Sequence, residues 1–248
     1  KKLPQEVVKS QLIEMPQSLK NLGSDYDKGW SVAFYKGTTA LVARSDKPSS
    51  AGDYFVEAVT KASLSEPKIV IGHLNESSST CQENAKGPHP FQRFHHGRNW
   101  LFGHNGMIDK ELLVSLITEE YLQANPPQVC NDNPPISWVD SELYFIYLLK
   151  KIDEADANVL KGLKNAVSEL SQHIDNVDQY LNFFLADGNQ VWAYRKGEAL
   201  FYTYDKKNRL SIITSTIPGQ YQLKWREFPE GKFALLRPHK KPKFYRAK

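Results

Sequence analysis

A chain of 248 residues with 40% hydrophobic and 24% charged residues, 14 Gly and 14 Pro has the composition of an ordinary folded protein, not of a disordered or collagenous one. The net charge of +4 belongs to the end of the chain: Lys240, Lys241, Lys243, Arg246 and Lys248 fall in the last ten residues, which hold no acid, so the body without them carries −1. No basic body favours a nucleic-acid partner, and no apolar run approaches the ~18 residues of a membrane span, so neither partner is expected.

Two cysteines, Cys81 and Cys130, are too few for a disulfide scaffold or a four-cysteine zinc site, although one bridge between them would fit an oxidising compartment. The first residues, from Lys1 to Glu6, include neither an initiator Met nor an apolar signal region, which points to a start inside a longer or processed precursor.

Taken in chain order, Val7, Val8, Leu12, Ile13, Met15 and Leu19 predict a short amphipathic helix interrupted at Pro16. Strand-like runs at 30–35 and 39–43 flank Lys36-Gly37-Thr38 and read as a hairpin. A helix is expected over 53–64. Residues 68–74 contain a continuous apolar stretch, as in a strand buried on both faces, and run into a polar loop at 75–90 whose length marks it as functional. Residues 99–104 read as a strand ending in Asn105-Gly106, a pair that accepts positive φ. Residues 109–121 are predicted helical and 125–135 a surface loop. Asp140-Ser141-Glu142 opens the clearest helix, with an acidic first turn and an apolar face of Leu143, Ile146, Tyr147 and residues 149–152. A further helix is expected over 159–174. Strands follow at 180–186, 190–195, 199–205, 210–214 and 233–237, with turns at Asp187-Gly188 and Lys196-Gly197. Strands, then helices, then strands predict α+β layers with mostly antiparallel sheets rather than a doubly wound parallel one. One domain over 1–248 is expected, ending in a solvated basic tail at 239–248, because a split at the 125–135 loop would leave each half short of sheet partners.

Five of the seven histidines, His73, His89, His95, His96 and His104, crowd into residues 73–104. Their spacing matches neither a helical His-x-x-x-His pair nor a Cys/His finger, and the adjacent His95 and His96 do not share a helical face, so no metal is expected. His73 and His104 read as histidines that hold backbone groups. Serine-hydrolase, P-loop and dinucleotide motifs are missing, and Cys81 has no defined base beside it, so it reads as a spectator thiol.

The stronger signal is an ordered set of short segments. His73-Leu74-Asn75 ends a strand, His89-Pro90-Phe91 follows a loop, and residues 97–106 form a strand closed by His104-Asn105-Gly106. An Asn amide and the next Gly N–H at a strand end can converge on one point, as an oxyanion hole requires. With Lys28-Gly29-Trp30-Ser31 before them and Asp140-Ser141-Glu142 after them, these segments resemble the class II glutamine amidotransferase family of N-terminal nucleophile hydrolases, above all its small stand-alone members. The likeness spans about residues 5–236, and the block 97–106 is its most specific part.

The resemblance implies a four-layer α/β/β/α sandwich, no cofactor, and a glutamine or γ-glutamyl small-molecule substrate. Asn105 and Gly106 would form the oxyanion hole, Asp140 would hold the substrate α-amino group, and His89 would shape the pocket wall. The nucleophile would be an N-terminal Cys whose own α-amine acts as base. Residue 1 is Lys and no Cys precedes Cys81, so that Cys is expected upstream of Lys1. Asn75 stands where the family has the Arg that pairs with the substrate α-carboxylate. A neutral amide cannot give the bidentate, charge-assisted pair, so another cation such as Arg93 or Arg98 takes over, or the substrate differs, or the site is inactive. Hydrolysis of the side-chain amide through a thioester is the leading expectation. The alternative is a catalytically inactive binding or regulatory relative. No synthase domain is visible, so ammonia transfer would need a separate acceptor partner.

Overall fold

The computed structural model describes residues 2–26, 28–75, 89–129, 133–174, 180–219 and 223–247. Cys81, Cys130 and most of the 75–90 loop lie outside the described residues.

The first helix, α1 (Gln5–Lys9), runs on as a π-helical turn over Ser10–Glu14, in which the Met15 N–H donates to the Ser10 carbonyl at 3.0 Å. Met15 is extended (ψ 150°), as the residue before a proline prefers, so the predicted helix ends ahead of Pro16 and a separate turn, α2 (Leu19–Leu22), follows. The hairpin of β1 (Trp30–Lys36) and β2 (Thr39–Ser45) turns at Gly37, whose φ of +64° suits a residue without Cβ. After α3 (Tyr54–Leu64), β3 (Val70–Leu74) pairs with β1 to complete a sheet of order β2-β1-β3.

Next come β4 (Phe91–His95) and β5 (Arg98–Asn105), of which only β5 is expected from the sequence. The helix predicted over 109–121 is two: α4 (Lys110–Ile117), capped by Asp109 Oδ1 accepting from the Leu112 N–H at 2.7 Å, and α5 (Glu119–Ala124), separated by Thr118 at φ +76°. Then follow α6 (Asp140–Asp153), α7 (Val159–His173), β6 (Asn182–Ala186), β7 (Val191–Arg195), β8 (Phe201–Asp205), β9 (Leu210–Thr214), β10 (Arg226–Glu227), β11 (Lys232–Leu236) and β12 (Lys243–Arg246). A six-stranded sheet has the order β12-β11-β7-β6-β5-β4 and a small one the order β10-β8-β9, with antiparallel pairing throughout. The expected solvated tail is instead an edge strand: β12 pairs with β11, with Phe244 against Tyr202 and Phe228 and Tyr245 against Trp192.

Strand alternation builds the layers. Trp30, Val32 and Phe34 of β1 pack on Phe55 and Val59 of α3 and Val8 of α1. The other face of β1, Ala33 and Tyr35, packs on Leu101 and Ala186 of the six-stranded sheet, and the Tyr35 hydroxyl reaches the Ala186 and Asn99 carbonyls at 2.9 and 3.0 Å. The far side of that sheet, with Phe102, Phe183, Leu185 and Phe233, is covered by α4, α6 and α7. Helices, sheet, sheet and helices make the four-layer sandwich.

Candidate active site

The strand β5 ends at Asn105, register partner of Asn182 in β6, and Asn105 itself is exposed. At Gly106 φ is +153°, and a Cβ there would lie 2.0 Å from the Tyr180 carbonyl oxygen and 2.9 Å from His104 Nε2, so only glycine fits. The next turn is tied to the start of α6: the Ile108 N–H donates to Asp140 Oδ2 at 3.0 Å. Asp140 is the first residue of that helix, where its negative charge faces the positive end of the dipole. Three residues proposed from the sequence, Asn105, Gly106 and Asp140, thus meet at one corner.

His104 braces the corner from within. Its Nε2–H donates to the Tyr180 carbonyl at 2.9 Å, which leaves Nδ1 to accept from the Ser141 hydroxyl at 3.0 Å. Burial lowers its pKa, while the Tyr180 bond and the nearby Asp140 charge pull the other way. The sequence reading of His104 as a holder of backbone is what the geometry shows.

His89 is buried before a cis peptide to Pro90, its ring 4.7 Å from His73 and 4.9 Å from Phe91. Burial, with the charges of His73, His104 and Arg44 adding to it, pushes the His89 pKa far down, and burial alone takes His73 down to about 4. Both imidazoles are therefore neutral at neutral pH. Ser31 of β1 pairs in register with Arg44 of β2 and His73 of β3, which puts these three side chains on the same inner sheet face. The Arg44 guanidinium donates to the Pro90 carbonyl beside His89, and burial lowers its pKa.

The Asn75 N–H donates to the Gly29 carbonyl at 2.9 Å and its Nδ2 to the Lys28 carbonyl at 3.3 Å, so its side chain clamps the entry to β1. Asn75 Oδ1, Ser31 Oγ and His89 Nε2 are buried without a hydrogen-bond partner among the described residues. Such orphaned atoms cost free energy unless a ligand or water meets them. Neither replacement cation named from the sequence is at this corner. Arg93 is buried against Glu142 at 3.1 Å and donates to the Pro126 carbonyl, and Arg98 pairs with Asp187 at 2.7 Å. Sequence reasoning passed over Arg44, the cation beside His73 and the Pro90 carbonyl, whose place opposite Ser31 only the strand register reveals.

A family model for class II glutamine amidotransferases matches residues 17–208, most of the chain. The chain belongs to that family. YafJ of Escherichia coli K12 is 26% identical over 173 residues, which is 67% of this chain and 59% of YafJ. The uncharacterised MJ1515 of Methanocaldococcus jannaschii is 24% identical over 180 residues, 72% of this chain and 45% of that one. The amidotransferase chain thus spans about half the length of the curated relatives it matches. Among solved structures, a glutamine aminotransferase class-II domain protein from Silicibacter pomeroyi superposes with a TM-score of 0.56 at 17% identity, covering 83% of this chain and 86% of that one. Glutamine phosphoribosylpyrophosphate amidotransferase from Bacillus subtilis gives 0.60 at 13% identity, covering 93% and 46%. At such identities these two show the fold alone, the N-terminal nucleophile hydrolase sandwich.

Proposed function

We propose that this class II glutamine amidotransferase domain hydrolyses the side-chain amide of glutamine or a γ-glutamyl compound, through a thioester on a cysteine upstream of Lys1. The observation that carries the reading is the corner where the Asp140 carboxylate holds the turn after Asn105-Gly106. In this mechanism the free α-amine of the cysteine takes the thiol proton, and the thiolate attacks the amide carbon. The oxyanion that forms accepts from Asn105 Nδ2 and the Gly106 N–H. The protonated amine gives its proton to the departing ammonia, and water then hydrolyses the thioester. Asp140 pairs with the substrate α-ammonium, and His89, neutral and buried, forms the pocket wall. Arg44, on the inner face beside His73 and His89, takes the α-carboxylate in place of the family's Arg, which Asn75 has replaced. Residues 1–248 act as one unit in this reading, and ammonia transfer would fall to a separate acceptor partner.

Ammonia release from glutamine and γ-glutamyl amides by the full-length protein is the direct test. Asn105→Ala is expected to lower kcat by about 10²-fold or more with folding intact. Unchanged kcat would remove Asn105 from the oxyanion hole. One feature favours the second reading, an inactive binding or regulatory protein: the Asn75 side chain is spent on the Lys28 carbonyl rather than on a charged pair. Sequencing the intact N-terminus separates the two, since any residue other than a free Cys there ends the thioester mechanism.

A further inference from the structure

Away from the amidotransferase corner, the turn between β4 and β5 faces the far end of α6. His95 ends β4, and His96 (φ +48°) and Gly97 (φ +70°) form the turn. The His95 carbonyl accepts from the Trp100 indole N–H at 3.1 Å, which fixes the turn against its own hairpin. The Nε2 atoms of His95 and His96 lie 2.7 and 2.8 Å from the same oxygen, Oδ1 of Asp153, the last residue of α6. The three donor atoms all lie within 4.8 Å of one another. The other carboxylate oxygen, Oδ2, accepts from the Tyr121 hydroxyl at 2.6 Å. That bond orients the carboxylate so that Oδ1 points at the imidazoles, as an outer-sphere partner does for a metal-binding group.

We propose that His95, His96 and Asp153 form a zinc site that ties the β4–β5 turn to the C-terminal end of α6. Two imidazole nitrogens and one carboxylate oxygen are a borderline donor set suited to Zn²⁺ and poor for Mg²⁺, which favours oxygen ligands. Zinc bonds of about 2.0–2.1 Å set tetrahedral donors roughly 3.3 Å apart, so the imidazoles need to withdraw from Oδ1 by only about half an ångström. Each neutral imidazole then carries its proton on Nδ1 and offers the Nε2 lone pair. His96 is exposed and the set is open on that side, where water completes the fourth position. With α6 fourteen residues long, this site lies roughly 20 Å from Asp140, so its role is structural, not part of the amide chemistry.

The test uses the full-length protein without a polyhistidine tag, stripped with EDTA and titrated with Zn²⁺ by calorimetry while thermal unfolding is followed. Wild type should bind Zn²⁺ and gain roughly 5–10 °C in Tm at a hundredfold excess over Kd. His96→Ala, an exposed change that leaves the fold alone, should remove one equivalent of that binding, or weaken it by about 100-fold, and abolish the Tm gain. Asp153→Asn should do the same, and Mg²⁺ should give no shift. No binding by wild type at millimolar Zn²⁺, equal binding by His96→Ala, or an equal Tm gain with Mg²⁺ would each overturn the site. Ammonia release is unaffected in every variant if the site is structural, so this result and that of the amidase assay stand apart.

Discussion

Replacing Asp140 by Asn separates its two jobs. As a structural residue, Asp140 accepts the Ile108 N–H at 3.0 Å through Oδ2, and its Oδ1 lies 3.4 Å from Ser141 Oγ. An Asn side chain keeps an oxygen for Ile108, so a charged hydrogen bond worth about 1.5–3 kcal/mol becomes a neutral one worth about 0.5–1.5. Adding about 0.3–1 kcal/mol for the lost charge at the N-terminus of α6 gives a stability loss of about 1.3–2.5 kcal/mol, too small to unfold the domain. As a substrate residue, Asp140 would lose a charge pair with the α-ammonium. At about 4 Å and an effective dielectric of about 20 that pair is worth about 4 kcal/mol, so KM for glutamine should rise by about 10²–10³-fold. Glutaramate, the same amide without the α-amino group, never made the pair, and its kcat/KM should change less than about fivefold. The assay compares kcat/KM for the two amides in wild type and Asp140→Asn, with urea unfolding as the stability control. Equal losses for both substrates would mean that Asp140 only holds the 105–108 turn, and the ammonium role would be withdrawn.

Other consequences can be measured in the same protein. Gly106→Ala should cost more than about 2 kcal/mol in urea unfolding, because its Cβ would sit 2.0 Å from the Tyr180 oxygen at φ +153°; a neutral result would refute the close approach. His73 has a folded pKa of about 4 against about 6.5 unfolded, so the unfolded state binds the extra proton. Its contribution is complete above about pH 6.5 and is lost as the pH falls towards 4, reaching about 2 kcal/mol at pH 5. Urea midpoints at pH 7.5 and 5 should therefore differ less in His73→Gln than in wild type, and an unchanged pH slope would count against a buried neutral His73. Deleting residues 239–248 should lower Tm by roughly 10 °C with or without added salt, since β12 contributes Phe244, Tyr245 and four backbone pairs to β11 rather than charge. A salt-dependent loss would point instead to the basic residues.

The parts of the fold that were legible in the sequence are those where local pattern and tertiary packing agree. The β1–β2 hairpin has two largely apolar runs around a glycine at its turn, and α6 and α7 have continuous apolar faces with polar starts. The readings failed where a single residue breaks a pattern that periodicity alone would continue. Thr118 at positive φ splits the predicted 109–121 helix, whereas the break expected at Pro16 is found, with Met15 extended ahead of it. The basic tail hid a strand because Lys243 and Arg246 at its ends face solvent while Phe244 and Tyr245 pack. At the site, the order of short segments pointed to Asn105, Gly106 and Asp140. Arg44 was passed over because the strand predicted at 39–43 stops one residue short of it, whereas β2 continues to Ser45. Asn75 could be seen to lack a charge, but not that its amide turns to the Lys28 carbonyl.

The missed strand β4 matters most for how the corner is held. Its sequence, Phe91-Gln92-Arg93-Phe94-His95, alternates correctly, but two of the inward positions are Arg93 and His95, so hydrophobicity gives no strand signal. Those polar residues point inward because α6 meets them with acids. Arg93 pairs with buried Glu142 in the first turn of α6, and the Glu142 carboxylate also accepts the Gln128 and Val129 N–H groups, at 2.7 and 2.9 Å. Residues 126–129, part of the loop expected as a plain surface connection, are thereby pinned to the helix that carries Asp140. His95 meets Asp153 at the other end. One short edge strand thus meets α6 at both ends, and its Arg93–Glu142 pair holds the first turn, where Asp140 meets Ile108. A buried pair of this kind is weak as a source of net stability but costly to break one-sidedly, by about 3–5 kcal/mol. Its value here is positional, because a hydrophobic substitute at Arg93 and Glu142 would leave the loop amides of Gln128 and Val129 without an acceptor and free the N-terminal end of α6 to shift.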